Sequence, residues 1–326
     1  MVRPLTCLDA KLGEALLREE ISGLGEQSPL TRLRVPLHEG IDPGDCYNQC
    51  AYEKGYAFVC HLRSLVDSDA VRKLAFEVKT NSAGRNLICC APIWLGNVQV
   101  FDDFLKRYCA KFSFQSIPAE VMMAFFLESF PELANASGTD LKGELTFETW
   151  LHEPGYPRFL PDLSDAQEMM ENCESLAFHW TSSSMPVQAS VLYLSEEAKT
   201  WEVPPVLYFL DCCMTAKFSS AEVVEALGDA LTLWTSRNSE ILFRWTLVLI
   251  HNEVVSKLAV VRRFLEMQGK QKFQLPVYRL LTTSPNAEVL RFAKDTYAAT
   301  KSMLHVMVRD RIELLLAARG DAQISS

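Results

Sequence analysis

The clearest structural signal in this 326-residue chain is the stretch Ser219-Ser220-Ala221-Glu222-Val223-Val224-Glu225-Ala226-Leu227. A serine followed three residues later by glutamate is a capping box, a pattern typical of the first turn of a helix. The apolar residues of this region recur at helical spacing: Val224, Leu227, Leu231 and Trp234. The stretch therefore predicts an amphipathic helix across residues 219–234 with one buried face.

The same spacing recurs along most of the chain. In the first half the apolar positions are Leu12, Leu16, Leu17, Ile21, Phe58, Leu62 and Leu65, and in the second half they are Ile241, Trp245, Val248, Leu258, Val261 and Leu265. Pro276 and Pro285 are expected to interrupt two later helices, because proline lacks the backbone N–H that a helix interior needs. The predicted fold class is mainly α. Short loops favour antiparallel helix pairs stacked into an armadillo/HEAT-like superhelix.

A proline-rich segment divides the chain. Residues 154–163 contain Pro154, Pro157 and Pro161, which cannot continue a helix, so this segment is predicted to be an extended linker. We expect one domain over residues 1–153 and a helical domain over residues 164–326. Residues 67–95 show no sustained period and are interpreted as an insertion in the first domain.

Composition narrows the classes of function. The formal charge is −9, whereas a phosphate-binding surface needs clustered Lys and Arg, so no nucleic-acid partner is expected. No apolar run reaches the roughly 18 residues of a membrane helix, and the N-terminus lacks the features of a signal peptide. A cytoplasmic location without membrane association is the resulting expectation. The ten cysteines show no metal-ligand spacing and are interpreted as free thiols.

The histidines do not form a recognisable metal motif. No two of them stand four residues apart, as the H-E-x-x-H zinc motif would require: His38, His61, His152, His179, His251 and His305. We therefore expect no metal ligands in this chain. Cys60-His61 is too weak a basis for a cysteine hydrolase, since adjacent residues on a helix point about 100° apart.

Several short segments, taken together and in order, carry a family resemblance. They are Asp42-Pro43, Tyr52-Glu53-Lys54-Gly55, Pro154-Gly155-Tyr156-Pro157, Leu160-Pro161-Asp162-Leu163-Ser164, Asn238-Ser239-Glu240, Phe243-Arg244-Trp245 and Gln268-Gly269-Lys270-Gln271-Lys272-Phe273. With these segments the chain resembles the zinc aminopeptidases of the gluzincin type, the family of aminopeptidase B and leukotriene epoxide hydrolase. The resemblance covers nearly the whole chain from about Thr6 onward.

The resemblance implies an activity, removal of N-terminal residues from peptides, and a cofactor, zinc. In such enzymes the zinc ligands lie upstream of the segments found here. The chain is therefore expected to correspond to the C-terminal part of a helical gluzincin catalytic domain followed by the helical domain. Because the ligands are absent, no zinc and no hydrolysis are expected from the chain alone. The alternative is a non-catalytic helical scaffold or regulatory isoform that binds a protein partner.

The resemblance also implies roles for four residues. Tyr52 matches the tyrosine that donates a hydrogen bond to the oxyanion of the tetrahedral intermediate, and Tyr47 matches a second active-site tyrosine near the substrate side chain. Lys270 and Lys272 match a basic pair that binds the terminal carboxylate of the substrate. A solvated basic turn after a helix explains these two lysines equally well.

Three departures from the family pattern limit what the resemblance implies. Gly44 stands where the relatives have an acidic residue, with Asp45 displaced by one position, which puts in doubt epoxide hydrolysis and a preference for basic N-terminal residues. The insertion at residues 67–95 has no counterpart. Cys50-Ala51 precedes Tyr52 where the relatives usually have a proline.

Overall fold

A computed structural model describes residues 2–37, 40–41, 43–44, 46–67, 98–131, 133, 146–182, 198 and 200–324. Every regular element within these ranges is an α-helix or a short 3₁₀ turn. The predicted mainly-α class is therefore confirmed. None of the described helices combines the length and apolar character needed to cross a bilayer.

The chain forms two compact units. The first unit comprises residues 13–162, and the second comprises residues 163–326 together with residues 1–12. The proline-rich residues 153–163 are irregular throughout, as expected for a segment that prolines keep out of helical geometry.

The first unit is built around aromatic side chains. Its helices are α1 (Val2–Leu24, of which residues 13–24 belong here), α2 (Cys50–Asp67), α3 (Val98–Phe112), α4 (Ala119–Ser129) and α5 (Phe147–His152), with a 3₁₀ turn at Pro29–Thr31. The ring of Phe104 on α3 lies 5.5 Å from the rings of Phe101, Phe126 and Phe130. Burial of these rings holds α3 against α4.

Besides the first half of α1, the described part of the second unit contains eight helices: α6 (Gln167–Ser182), α7 (Val203–Cys213), α8 (Ala221–Ala230), α9 (Ser239–His251), α10 (Leu258–Met267), α11 (Gln271–Thr283), α12 (Ala287–Thr300) and α13 (Val306–Ile324). Helices α7, α9, α11 and α13 pack one against the next, and α10 packs on both α9 and α12. Alternate helices thus lie side by side, as in stacked helical hairpins. The superhelical form of the stack stays a prediction.

Helix α8 is shorter than its sequence pattern predicts. It begins at Ala221 with Ser220, not Ser219, at the N-cap, and the Ser220 side chain makes no capping hydrogen bond. It ends at Ala230, because Thr232 adopts a left-handed conformation at φ 51° and a 3₁₀ turn follows at Leu233–Thr235. The prediction of one helix across 219–234 was wrong at both ends.

Tertiary packing explains where α8 stops. The ring of Trp234 leaves the helical path and lies 5.1 Å from that of Trp245, edge to face. Its indole N–H donates a 2.7 Å hydrogen bond to Asp229. A Cβ on Gly228 would lie 2.3 Å from the Trp234 ring, so this close approach requires glycine. The aromatic pair therefore outweighs the helical propensity of the segment.

Pro276 does not interrupt a helix as predicted. It lies inside α11, and its neighbours Leu275 and Val277 are buried. A proline here forfeits one backbone hydrogen bond, which the packing of the buried face outweighs. Pro285, by contrast, does fall between two helices, α11 and α12.

Candidate functional site

Two tyrosines meet at the start of α2. The hydroxyl of Tyr52, in the first turn, donates a 3.1 Å hydrogen bond to the hydroxyl of Tyr47, which precedes the helix. Their rings stand edge to face with centroids 6.2 Å apart. Tyr47 is 76% exposed and Tyr52 55% exposed, so both phenols are accessible within this unit. The structure thus brings together the two tyrosines named from the sequence.

The pair sets the protonation of Tyr52. The hydrogen bond to Tyr47, together with the nearby charge that Tyr47 carries when ionised, raises the pKa of Tyr52. Tyr52 is therefore a neutral phenol at physiological pH and retains a proton to donate.

Helix α2 has a buried face that is not uniformly apolar. The buried side chains follow helical spacing: Cys50, Lys54, Ala57, Phe58, His61, Leu62, Leu65 and Val66. Positions 52 and 54 lie about 200° apart around a helix. Burial of Lys54 therefore directs Tyr52 to the opposite, exposed face.

Lys54 is a buried charged residue of this region to which the sequence alone assigned no role. It is 2% exposed, and its ammonium donates to the backbone carbonyls of Thr31 at 2.8 Å and Glu153 at 2.9 Å. Burial lowers the pKa of Lys54, and this effect is partly offset by Cys50 when its thiol is ionised and by the charge of Glu153. A lysine in a stripe of otherwise mostly apolar positions was the available signal in the sequence.

Two further hydrogen bonds tie the same region together. Asn48 Nδ2 donates to the carbonyl of Leu30 at 2.9 Å, and Asn48 Oδ1 accepts from the backbone N–H of Cys50. The backbone N–H of Gly155 donates to Thr31 Oγ1 at 2.8 Å. Two of the family-like segments, residues 52–55 and 154–157, are thus connected through Thr31.

Gly155 is conformationally required at its position. Its φ is 74°, in the left-handed region, and a Cβ there would lie 3.0 Å from the carbonyl oxygen of Glu26. This explains the glycine of the Pro154-Gly155-Tyr156-Pro157 segment, whose Tyr156 hydroxyl donates to the carbonyl of Arg18.

The two lysines named from the sequence have different surroundings. Lys272 Nζ forms an ion pair with Glu240 Oε1 and lies 4.8 Å from the Phe273 ring centroid. Lys270, at the N-cap of α11, is exposed and makes no ion pair with any residue that the structure describes. Only Lys270 is therefore available, without rearrangement, to a ligand carboxylate.

Glu240 connects Lys272 to a largely buried arginine. Arg244, 5% exposed, contacts Glu240 at 3.3 Å and Asp211 at 2.8 Å. Nearby, Gln268 Nε2 donates to Ser239 Oγ at 2.9 Å. Three family-like segments, at residues 238–240, 243–245 and 268–273, therefore converge in one polar cluster of the second unit.

The tyrosine pair lies in the first unit and the lysine pair in the second. Within the part of the chain that the structure describes, no group of three His, Cys, Asp or Glu side chains is placed to hold a metal ion. The described residues therefore do not fit the zinc that the resemblance implies. His38, Asp42 and Asp45 lie outside the described residues, as do residues 68–95 of the predicted insertion.

The comparisons with known proteins agree with one another on one family. Residues 201–316 match the family model "Leukotriene A4 hydrolase, C-terminal". Aminopeptidase B of Mus musculus is 36% identical over 96% of this chain and 43% of its own length, and that of Homo sapiens is 34% identical over 97% of the chain and 43% of its length. Leukotriene A-4 hydrolase of Xenopus laevis is 23% identical over 89% of the chain and 41% of its length.

A solved structure shares the fold. Native yeast LTA4 hydrolase superimposes with a TM-score of 0.68 at 19% identity, over 96% of this chain and 46% of that one. The chain thus spans less than half the length of the curated relatives it matches.

Proposed function

We infer, from the chain's membership of the family of aminopeptidase B and leukotriene A4 hydrolase, that its residues take part in removing N-terminal residues from peptides. The observation that carries this inference is the exposed Tyr52–Tyr47 pair at the start of α2. Its role would be to stabilise the transition state by hydrogen bonding.

The chemistry of peptide hydrolysis explains the usefulness of such a pair. Attack on the peptide carbonyl produces a tetrahedral intermediate whose oxygen carries negative charge, and a neutral O–H aimed at that oxygen stabilises it. Tyr52 would donate to this oxygen after its hydroxyl hydrogen turns away from Tyr47. Tyr47 O–H would then donate to the Tyr52 oxygen, which strengthens Tyr52 as a donor.

The metal would come from residues other than those described. Zinc, in the family that the sequence resembles, activates the attacking water. Because the 326 residues contain no H-E-x-x-H motif and the described residues hold no ligand cluster, this chain would supply the hydrogen-bond donor and not the metal. We expect the isolated chain, after dialysis, to retain no stoichiometric zinc and to hydrolyse no aminoacyl substrate.

The resemblance implies a basic pair that binds the terminal carboxylate of a peptide. Lys270 is the better candidate for the terminal carboxylate, because Lys272 is already neutralised by Glu240. An ammonium group provides charge without the directional fork of an arginine, so this contact would favour peptides over amides without selecting their sequence.

A hybrid enzyme tests the proposal. In it, this chain replaces the 43% of mouse aminopeptidase B that aligns with it. We expect the hybrid to hydrolyse aminoacyl-4-nitroanilides, and Tyr52→Phe to lower kcat by about 10²- to 10³-fold with little change in KM. Tyr56→Phe is the matched control, since Tyr56 is also exposed on α2, one turn further along.

Two results would count against the proposal. A folded hybrid without activity would show that this chain does not complete an aminopeptidase site. An active hybrid in which Tyr52→Phe behaves like Tyr56→Phe would remove Tyr52 from the transition state. Zinc and turnover in the isolated chain would instead show that the chain carries its own metal site.

A further inference from the structure

We propose that Lys54 is a positioning residue for Tyr52: its buried ammonium fixes the first turns of α2 against two distant segments and so holds the tyrosine pair in place. This inference rests on the proposed function of Tyr52 and adds a residue to it. Lys54 itself is buried and has no access to substrate.

The side chain of Lys54 lies on the buried face of α2. Lys54 shares this face with mostly apolar side chains, such as Ala57 and Phe58, and with His61. A lysine side chain normally keeps its charged end in water, and burying that end costs free energy unless hydrogen bonds compensate. At this position the compensation is visible, because the ammonium reaches two carbonyl oxygens at ordinary hydrogen-bond distances.

The ammonium of Lys54 connects α2 to two segments that are distant in the chain. Thr31 ends the 3₁₀ turn at Pro29–Thr31, 23 residues before Lys54, and Glu153 follows α5, 99 residues after it. One side chain therefore joins three segments that are remote in sequence. The bond from Gly155 N–H to Thr31 Oγ1 closes the same connection from the other side.

The backbone next to each tyrosine is held by a hydrogen bond to the same turn. The carbonyls of Leu30 and Thr31 are consecutive acceptors on one turn. The first accepts from Asn48, which follows Tyr47, and the second accepts from Lys54, two residues after Tyr52. The backbone after each tyrosine is thus hydrogen-bonded to the same turn, and residues that do not touch substrate can preorganise a site in this way.

The experiment uses the full 326-residue chain with tyrosine labelled at the ring carbon that bears the hydroxyl. The Tyr52 signal, assigned by its loss in Tyr52→Phe, is titrated by NMR in the unmodified chain and in Lys54→Met, which keeps the length of the side chain but removes its charge and donors. We expect the pKa of Tyr52 to be raised in the unmodified chain and to return towards the ordinary tyrosine value in Lys54→Met. In Lys54→Met the rate of amide hydrogen exchange over residues 47–52 should rise at least about tenfold, because the local stability of this segment falls.

Lys54→Arg separates positioning from loss of charge. It retains both the charge and the donors, so it should restore the Tyr52 signal at least in part. Lys270→Met, which removes an exposed lysine of the second unit, should leave the Tyr52 signal unchanged. A folded Lys54→Met chain whose Tyr52 titrates as in the unmodified chain would overturn the proposal.

A second measurement needs no substitution and decides the case if Lys54→Met fails to fold. In the unmodified chain the ammonium protons of Lys54 should exchange with water slowly enough to be observed, unlike those of the exposed Lys270. Exchange as fast as that of Lys270 would overturn the proposal. The Tyr52 signal is read without turnover, so an inactive hybrid with the signal intact would count against the aminopeptidase role alone.

Discussion

The hydroxyl of Tyr52 donates a 3.1 Å hydrogen bond to the hydroxyl of Tyr47, and the two rings meet edge to face. The contact joins a residue in the first turn of a helix to one in the segment just before it. Because both phenols are more than half exposed, packing alone does not impose this arrangement. The arrangement is imposed by hydrogen bonds that anchor the backbone after each tyrosine, one from Asn48 and one from Lys54.

The first prediction concerns the partner in this pair. Tyr47→Phe removes the hydroxyl that holds the pKa of Tyr52 above its ordinary value, so that pKa should fall. In the hybrid enzyme kcat should decrease by about three- to tenfold, the equivalent of one neutral hydrogen bond. The NMR titration of Tyr52 and steady-state kinetics provide the two measurements. An unchanged Tyr52 titration would show that the pair does not form in solution.

The second prediction concerns the ion pair between Glu240 and Lys272. Glu240→Gln frees Lys272, so the hybrid's KM for a peptide with a free terminal carboxylate should fall by about two- to fivefold, as expected for a partly exposed pair. The KM for the corresponding peptide amide should not change. Lys270→Met should raise KM for the carboxylate substrate alone. If both variants affect peptide and amide equally, neither lysine contacts the carboxylate.

The third prediction concerns the close contact at Gly228. Alanine favours a helix by about 1 kcal/mol over glycine, but its Cβ would lie 2.3 Å from the Trp234 ring and 2.8 Å from the Trp245 ring. Overpacking of this kind costs about 1–3 kcal/mol, so Gly228→Ala should lower the stability of the second unit to unfolding by urea. Gly269→Ala, with nothing within 4 Å of its Cβ, is the control and should change stability little. Equal stability of the two variants would contradict the packing argument.

The fourth prediction concerns stability at alkaline pH. Burial, with a smaller effect from Glu20, raises the pKa of the Cys50 thiol to about 11 from 9.0. Below pH 9 the thiol is protonated in both folded and unfolded chains. Between pH 9 and about 11 the unfolded chain loses this proton and the folded chain keeps it, so Cys50 makes the fold less stable as pH rises.

Urea unfolding at a series of pH values measures this effect. Comparison of Cys50→Ala with the unmodified chain isolates the contribution of Cys50 from other groups that titrate in the same range. Each tenfold difference in proton affinity between the folded and the unfolded chain corresponds to about 1.4 kcal/mol, and the variant should lose stability less steeply between pH 9 and 11. Parallel curves would show that Cys50 titrates normally in the fold.

Much of the helical architecture was predictable because its signals are local. The spacing of Val224 and Leu227, or of Phe58, Leu62 and Leu65, identifies helices from residues a few positions apart. The two tyrosines, by contrast, were named from the resemblance of a short segment to a family and not from helical spacing. Their mutual contact, between residues five apart, also depends on the anchoring of Asn48 and Lys54 to the distant turn at residues 30–31.

The features that only the tertiary structure decided are contacts between residues distant in the chain. The sequence by itself determined where most helices form and which family the chain resembles. The structure decided that Lys54 is buried and clamps residues 31 and 153, that Lys272 is neutralised by Glu240, and that Trp234 leaves its helix to meet Trp245. The physical reason is that propensity and capping act within a turn or two of helix, whereas burial and ion pairing depend on partners that the fold brings from tens of residues away.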